Sequence, residues 1–457
     1  MTPQALDARS PVRHTSADRP RGTLRPGWPL SVLFLGFPLW WVTGFSVFIF
    51  LIAAVPMAAH LVRRRPIAVP RGFGLWLVFL VWMLAGAAVL WVHAPGSVGE
   101  ADASRLFVFA YRALWYGAVT IAMLYVGNLT EQELPARRVA RLLGFMFIVV
   151  ACGGLLGVVA PRVEFPSLLE IVLPAGLAQN NFVNNLIHPV AADPSSFLGY
   201  EQARPVAPFA FANSWGANYA MYLPFFVIAW LGREGGWRRR VAPLVLIASV
   251  WPVIYSHNRG LWIGLALVAL YVVFRLAAAG HKWAVRGLVA GALITGAVLL
   301  ASPLQELLAD RLATPHSNNR RVHLALATLR STLTGSPVVG FGSTRDVQGT
   351  LESIAVGSAP DCPACSPPPL GTQGLLWMVT FSQGFVGIGL FLSFFAVRIR
   401  RHWRERSPYA IAGCCVLVLF ALFLPIYDML EAPFFTVMIA LGLMWRLEAT
   451  KQTETSE

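Results

Sequence analysis

Charged residues are scarce in this chain of 457 residues, at 13% against about a quarter in soluble domains. Hydrophobic residues make up 56%, and the mean hydropathy is +0.61. This balance excludes an ordinary soluble protein and predicts a polytopic membrane protein. The net charge of +14 suggests nucleic-acid binding, but excess arginine and lysine marks the cytoplasmic loops of membrane proteins. We therefore expect membrane lipid, and no nucleic acid, among the partners.

Cysteines and metal-ligating residues are also few. Three of the five cysteines, Cys152, Cys414 and Cys415, fall inside apolar segments, where we expect small packing residues. Cys362 and Cys365 face an oxidising compartment on the topology given below, which favours a disulfide over a thiol redox site. Two cysteines alone do not form a zinc site, and the extracytoplasmic side carries no carboxylate or histidine cluster at metal-ligand spacing. We expect neither a metal nor a cofactor.

The chain shows no repeat of 20–50 residues and no inverted duplication of segment lengths, which gives no support to a repeat-built transporter. No small-residue cleavage site follows the first apolar run, so this run is predicted to remain as an anchor. Residues 1–28 are rich in Arg, Pro, Ser and Thr and have little to bury. They are predicted to form a disordered basic cytoplasmic tail.

Apolar segments long enough to cross a bilayer recur along the rest of the chain. Residues 29–62 exceed one span and have arginines on both sides, which predicts a hairpin of two helices turning near Gly44. Ten further spans are predicted at residues 73–92, 106–127, 142–160, 213–231, 241–256, 260–278, 285–301, 375–397, 409–426 and 429–446.

The predicted fold class is an all-α polytopic membrane protein with about 12 transmembrane helices and a long extracytoplasmic loop between helices 9 and 10. About 26 of the arginines and lysines fall on the cytoplasmic side, which places both termini in the cytoplasm. The predicted regions after the tail are 29–301 (helices 1–9, with an extracytoplasmic loop at 161–212), 302–374 (the long loop), 375–446 (helices 10–12) and 447–457 (a second cytoplasmic tail).

Arginines on the extracytoplasmic side are exceptions to the charge rule, and attraction by an anionic ligand is one explanation for them. They are Arg105, Arg112, Arg162, Arg204, Arg259, Arg311, Arg320, Arg321, Arg330 and Arg345. Arg259 lies between two spans, where a guanidinium suits a pyrophosphate at membrane depth. The alternative is an arginine that extends to the membrane interface. Arg112, inside its span, allows the same two interpretations.

The long loop contains a predicted surface helix over about 320–334. Val322, Leu326, Leu329 and Leu333 are four, three and four residues apart, which predicts one apolar face. Arg320 and Arg321 fall in the first turn, where the helix N-terminus already favours an anion such as phosphate. A surface helix with solvated arginines is the alternative.

Several short motifs follow one another in a fixed order on this topology. They are Arg204-Pro, Phe211–Asn218, Ser256–Trp262 (Ser-His-Asn-Arg-Gly-Leu-Trp), then Arg321, Pro337 and Gly340–Gly342 in the long loop, then Gly371–Trp377 and Ser382–Gly387. Over roughly residues 200–400, this order resembles the O-antigen ligase and polymerase superfamily.

The resemblance implies glycosyl transfer at the outer face of the bacterial cytoplasmic membrane. A glycan would pass from a polyprenyl-pyrophosphate carrier to a hydroxyl of a glycan or lipid acceptor, without nucleotide sugar or metal. Arg259 with Arg320 or Arg321 would stabilise the charge that develops on the leaving pyrophosphate. We assign substrate binding to Arg204, Arg112 and His257.

One position departs from the family pattern. The family usually has a histidine, thought to assist the acceptor hydroxyl, just before the span that follows the long loop. Gln373 and Gly374 stand there in this chain. Because glutamine cannot act as a general base, Gln373 is assigned to substrate binding. Candidates for the base are the histidines His316, His323 and His257, with the turn residues Asp428 and Glu431 as a further possibility.

Two other functions are compatible with the composition. A transporter or exporter of lipid-linked sugars would explain the spans and the extracytoplasmic arginines without catalysis. It is expected to show ionisable residues or a broken helix near the membrane midplane. A structural scaffold would tolerate substitutions in the long loop.

Overall fold

The computed structural model describes residues 25–98, 104–179, 181–195, 202–232, 235–300, 316–346 and 368–454. Helix makes up 72% of the structure. The helices before the first strand are α1 (Trp28–Leu35), α2 (Phe37–Val42), α3 (Phe48–Arg63), α4 (Phe73–Ala85, continued by a 3₁₀ turn Gly86–Val89), α5 (Ser104–Asn128), α6 (Ala136–Val159), α7 (Leu168–Val172), α8 (Ala175–Ala178) and α9 (Asn181–Ile187).

Strands β1 (Ala192–Ser195) and β2 (Gln202–Pro205) come next. The later helices are α10 (Ala212–Phe226, continued by a π turn Val227–Leu231), α11 (Arg238–Tyr255), α12 (Arg259–Ala278), α13 (Lys282–Leu300), α14 (His316–Gly335), α15 (Leu375–His402), α16 (Pro408–Phe423) and α17 (Ala432–Glu454).

Four helices in the described part are long and apolar enough to cross a membrane. They are Arg105–Asn128, Ala136–Val159, Arg259–Ala278 and Leu375–His402. Shorter apolar helices are Phe48–Arg63, Phe73–Val89 and Pro408–Phe423. The fold is that of a mostly helical, membrane-embedded protein.

The helix boundaries follow the predicted segments closely. The first apolar run folds back on itself between α2 and α3, at Gly44, whose φ of 84° is the left-handed conformation that glycine adopts readily. The largest difference is at the C-terminus, where α17 extends to Glu454. Most of the predicted tail 447–457 is therefore helical, because residues 447–454 contain no glycine or proline to end the helix.

The loop predicted at 161–212 contains structure of its own, so the expectation of an all-α chain was wrong in this detail. It holds α7 to α9 and an antiparallel hairpin in which Ala192 faces Pro205 and Asp193 faces Arg204. Prolines at 194 and 205 disfavour continuous helix here, and a two-stranded ribbon satisfies part of the backbone instead.

Helix α15 is broken at Gly384, where φ is 67° and ψ is −172°. The loop segment after α14 pairs with the break: Phe341 N–H donates to the Phe381 carbonyl at 2.9 Å, and Gly342 N–H to the Ser382 carbonyl at 2.8 Å. Phe385 N–H donates in turn to the Pro337 carbonyl at 2.8 Å. Non-helical backbone at membrane depth requires such internal partners, so this part of the long loop is an integral part of the bundle.

Ion pairs join helix ends and turns at the end of the bundle opposite the long loop. Arg64 pairs with Glu133 at 2.6 Å, and Arg446 pairs with Glu131 at 3.1 Å. Arg401 pairs with Glu448 where α15 and α17 end. The turns after α3 and α5 and the C-terminal ends of α15 and α17 therefore belong to one end of the bundle, away from the long loop.

Candidate functional site

The candidate site is built on the turn between α16 and α17, which packs against the N-terminus of α15. Leu375 N–H donates to the Tyr427 carbonyl, and Leu376 N–H to the Leu424 carbonyl, each at 2.9 Å. The indole N–H of Trp377 donates to the Pro425 carbonyl, also at 2.9 Å. Because α15 amides without helical partners are satisfied by this turn, its position relative to α15 is fixed.

Asp428 caps α15. Its Oδ2 accepts from Gln373 N–H at 3.1 Å, and its Oδ1 accepts from Gly374 N–H at 3.0 Å. The residue is exposed. The Gln373 backbone, where the family resemblance led us to expect a catalytic histidine, is therefore in direct contact with a carboxylate.

Tyr427 links the corner before α12 to the long loop. Its buried hydroxyl donates to Asn258 Oδ1, and the Arg321 guanidinium lies over its ring, 6.0 Å from the centroid. Burial raises the pKa of Tyr427 to about 12, against the opposing charges of Arg321 and Arg204. The phenol is therefore neutral at physiological pH, and its ring lies under the Arg321 guanidinium.

Arg204 reaches the same corner from strand β2. Its Nε–H donates to the Ser256 carbonyl at 2.9 Å. Burial lowers the pKa of Arg204, the Asp193 carboxylate across the hairpin opposes the shift, and the Arg321 charge adds to it. The charges of Arg204 and Arg321 act on each other and on Tyr427. Two cations from distant segments of the sequence therefore lie near one tyrosine.

Arg259 begins α12, directly after this corner. Asn258 caps the helix by accepting from Leu261 N–H at 3.0 Å, which fixes the backbone from which the half-buried Arg259 projects. The preceding residue, His257, is buried and has a φ of 48°. Among the described residues, His257 and Gln373 (φ 64°) are the two non-glycine residues with positive φ. Such backbone strain is concentrated at functional sites.

Arg112 and Glu431 approach the turn from the α5 side. An Nη2–H of Arg112 donates to Thr344 Oγ1 at 3.1 Å, which joins α5 to the long loop. Tyr111, the preceding residue, donates its hydroxyl proton to Glu431 Oε1 at 2.7 Å. The charge of Arg112 acts on the Asp428 carboxylate, so this predicted substrate-binding residue lies near the same turn.

Protein packing around Asp428 desolvates its carboxylate and raises the pKa of that group. The N–H groups of Gly374 and Gln373 and the charges of Arg112 and Arg321 oppose the rise. The direction of the shift makes Asp428 a stronger proton acceptor than an ordinary surface aspartate.

The structure brings together most, but not all, of the predicted site residues. Arg204, Arg321, His257, Arg259, Gln373 and Arg112 lie around the turn that holds Tyr427 and Asp428. His323 is exposed on α14. His316 and Arg320 belong to α14 by their backbone, but their side chains lie outside the described residues, as do Cys362 and Cys365 entirely.

Helix α14 is present where the periodicity predicted it, but its apolar stripe faces outward. Val322 is 56% exposed and Leu333 is 58% exposed, whereas Leu324, Thr328 and Thr332 are buried. The periodicity identified the helix, and the prediction of a surface helix left open whether its apolar face meets lipid or protein. The outward stripe fits a helix at the membrane surface.

Arg345 is one of the extracytoplasmic arginines for which an anionic ligand was one explanation. In the structure it binds backbone carbonyls instead. Its buried guanidinium donates to the carbonyls of Leu90, Phe341 and Ser343 at 2.7, 2.8 and 2.9 Å. Burial and the nearby arginines Arg105 and Arg112 lower its pKa to about 10. It is still charged at neutral pH and fastens the long loop to the end of α4.

Replacing Arg345 with methionine is expected to destabilise this fastening by about 2–3 kcal/mol, because charge-assisted hydrogen bonds to several buried carbonyls are lost. Thermal unfolding of the purified protein in detergent measures the effect. The Arg330→Met variant, changed at an exposed position on α14, is the control and is expected to unfold as the wild type does. Equal unfolding temperatures for all three proteins would contradict the structural role.

The left-handed backbone of Gln373 makes a second prediction. Gln373→Gly should unfold at about the wild-type temperature, because glycine adopts this φ without strain. Gln373→Val should unfold at a clearly lower temperature, because a β-branched residue rarely adopts positive φ and the N–H would leave Asp428. Thermal unfolding of both variants in detergent, beside a milder Gln373→Ala, measures the difference. If glycine and valine are equally damaging, the glutamine side chain matters and not the backbone.

Tyr427 could not be singled out from the sequence, because it follows an ordinary apolar segment. Asn258 was part of the Ser256–Trp262 motif, but its bond to Tyr427 depends on the packing of α12 against α16.

No protein-family model matches the chain, and no curated protein matches it.

Proposed function

We propose that this chain is a membrane glycosyltransferase that moves a glycan from a polyprenyl-pyrophosphate carrier to the hydroxyl of a glycan or lipid acceptor. In this proposal the chain has about twelve transmembrane helices and both termini in the cytoplasm, and it acts at the outer face of a bacterial cytoplasmic membrane in cell-surface polysaccharide assembly. The main supporting observation is that Arg204, Arg321 and the His257–Arg259 corner converge on Tyr427.

The chemistry of the cations suits a pyrophosphate leaving group. As the bond from the sugar to phosphate breaks, negative charge grows on the pyrophosphate, and preorganised cations lower the barrier. Arginine stays charged when it is partly buried and binds phosphate oxygens in pairs. Arg321 is held over the Tyr427 ring and Arg204 on the Ser256 carbonyl. Arg259, at the start of α12, adds its charge to the positive end of the helix dipole.

The distribution of arginines between the two ends of the bundle supports an extracytoplasmic site. The helix ends and turns opposite the site carry Arg63–Arg65, Arg137, Arg138 and the arginines between Arg398 and Arg406. Arginine-rich turns of this kind mark the cytoplasmic side. The site, built from α12, α14, α15 and the α16–α17 turn, would then face the compartment in which lipid-linked glycans are assembled into surface polymers.

A transporter of lipid-linked sugars is the second candidate, and the broken helix α15 is the observation that favours it. Transporters use the free backbone groups of a broken helix to bind substrate or ions. In α15 the carbonyls of Phe381 and Ser382 accept from the long loop, and the Gln383 carbonyl accepts from the Trp82 indole at 2.9 Å. Because these groups have partners within the protein, the break supports transport less than the arginine cluster supports transfer.

Reconstitution distinguishes the two functions. Proteoliposomes containing the purified chain would receive lipid-linked glycan extracted from the native membrane, together with a panel of glycan and glycolipid acceptors. We expect polyprenyl pyrophosphate to be released as a new glycosidic bond forms. Movement of intact lipid-linked glycan across the bilayer, without a new bond, would support the transporter and contradict the proposal.

A further inference from the structure

We propose that Asp428 is the general base that takes the proton from the acceptor hydroxyl, in the place of the histidine that this chain lacks at position 373. This inference rests on the proposed function. It assigns the proton transfer to a residue on the turn between α16 and α17, and not to any of the histidines in the extracytoplasmic loops.

The first support is the way Asp428 is held. Gln373 N–H and Gly374 N–H each bind one carboxylate oxygen, at 3.1 and 3.0 Å. A carboxylate oxygen can accept more than one hydrogen bond, so both oxygens retain capacity toward a substrate hydroxyl. The residue is exposed. A fixed, accessible carboxylate satisfies the first requirement of a general base, which is a defined position within reach of solvent and substrate.

The second support is the position of Asp428 relative to the cations. It follows Tyr427, whose ring carries the Arg321 guanidinium and whose hydroxyl binds Asn258, next to Arg259. A donor whose pyrophosphate lies on these arginines would place its reacting sugar carbon close to the turn. In an inverting transfer the acceptor hydroxyl approaches that carbon on the side opposite the pyrophosphate, and Asp428 is the residue that follows Tyr427 on this turn.

The charged groups around Asp428 come from three elements. Arg112 faces it from α5 and Arg321 from α14, and Glu431 lies at the start of α17. Packing raises the pKa of Asp428 despite the two arginines. A carboxylate with a raised pKa takes a proton more readily, and the charges of Arg112 and Arg321 favour its ionised form.

The proposed step balances as follows. The acceptor oxygen attacks the anomeric carbon and forms the new glycosidic bond, while the bond from that carbon to the phosphate oxygen breaks. The bonding electron pair leaves with the pyrophosphate, whose charge the arginines stabilise. The hydroxyl proton passes to a carboxylate oxygen of the exposed Asp428, which releases it to solvent before the next turnover.

The other candidates for the base fit the geometry less well. His323 is exposed on α14, whereas Asp428 is hydrogen-bonded to the N-terminus of α15 at the position that the resemblance identified. Glu431 accepts from the Tyr111 hydroxyl at 2.7 Å and lines a pocket formed also by Phe50 and Phe209. Its role is therefore better explained as a fixed partner of α5.

The test compares Asp428→Asn, Asp428→Ala and the exposed control Asp346→Asn in proteoliposomes supplied with extracted lipid-linked glycan. Asparagine keeps an oxygen for one backbone N–H, so the variant should fold and bind donor normally. We expect the transfer rate constant to fall by about 10²-fold or more in both Asp428 variants. Added formate should restore part of the activity of Asp428→Ala, because a small carboxylate fits the space left by the shortened side chain.

The pH profile gives a readout that does not depend on a variant. For the wild type, kcat/KM should fall on the acid side as Asp428 becomes protonated, at a pH above the ordinary aspartate range, and Asp428→Asn should lack this limb. The assignment would be overturned by wild-type rates in Asp428→Asn or by a wild-type pH profile without an acid limb. It would also be overturned if formate does not restore the lost activity and the variants no longer bind the donor. If the wild type transfers no glycan, the proposed function fails with it.

Discussion

Replacing Arg321 or Arg259 with alanine is expected to lower the transfer rate by at least about 10²-fold, the range found when a single oxyanion-stabilising group is removed. The protein should still insert into the membrane and purify normally, because both side chains are only half-buried. The loss should appear in kcat as well as in donor affinity, since the charge on the pyrophosphate grows as the sugar bond breaks.

Lysine variants separate charge from geometry. Arg321→Lys keeps a positive charge but cannot bind two phosphate oxygens in the arginine manner, so intermediate activity is expected. Arg330→Ala, on the same helix at an exposed position, is the matched control and should transfer glycan at the wild-type rate. Normal transfer by Arg321→Ala and Arg259→Ala would contradict the proposed role of these cations.

Replacing Gly384 with alanine is expected to destabilise the protein by on the order of 3 kcal/mol, since it combines left-handed backbone strain with a steric clash. A β-carbon at this position would lie 2.3 Å from the Val338 carbonyl oxygen, and the φ of 67° is unfavourable for alanine. The long loop would have to separate from the break in α15, which would also expose backbone groups that need partners at membrane depth.

Gly389→Ala provides the control on the same helix, because a β-carbon there meets no atom within 4 Å. Heating both variants in detergent and following the folded fraction by size-exclusion chromatography measures the difference. We expect Gly389→Ala to match the wild type and Gly384→Ala to aggregate at a clearly lower temperature. Equal behaviour would show that α15 and the loop are not locked together at Gly384.

The helical framework followed from the sequence because segment length and hydrophobicity are sufficient to identify membrane helices. The hairpin turn at Gly44 and the start of α15 at Leu375 were predicted for this reason. The break at Gly384 was not, since a glycine inside an apolar helix is common and its neighbours do not show that a loop pairs with it. The direction of the apolar stripe of α14 could not be predicted, because helical periodicity does not distinguish lipid from core.

Site residues that stand out by their own chemistry could be predicted from the sequence. Residues whose role depends on contacts between distant segments could not. An arginine between apolar segments is unusual enough to attract attention, and Arg204, Arg259 and Arg321 were found in this way. Tyr427 and its link to Asn258 required the packing of two helices that are far apart in sequence. Asp428 was a candidate base from the sequence, but its bonds to the Gln373 and Gly374 amides depend on the packing of the α16–α17 turn against α15.

The most direct test of the proposed function is the stoichiometry of one reconstituted reaction. Purified protein in proteoliposomes would be mixed with extracted lipid-linked glycan and acceptor, and released polyprenyl pyrophosphate and new glycosidic bonds would be counted in the same sample. A glycosyltransferase predicts equal amounts of the two products in the wild type and neither in Arg321→Ala. Acceptor left unmodified by the wild type, with the donor intact or moved to the other leaflet, would contradict the proposal.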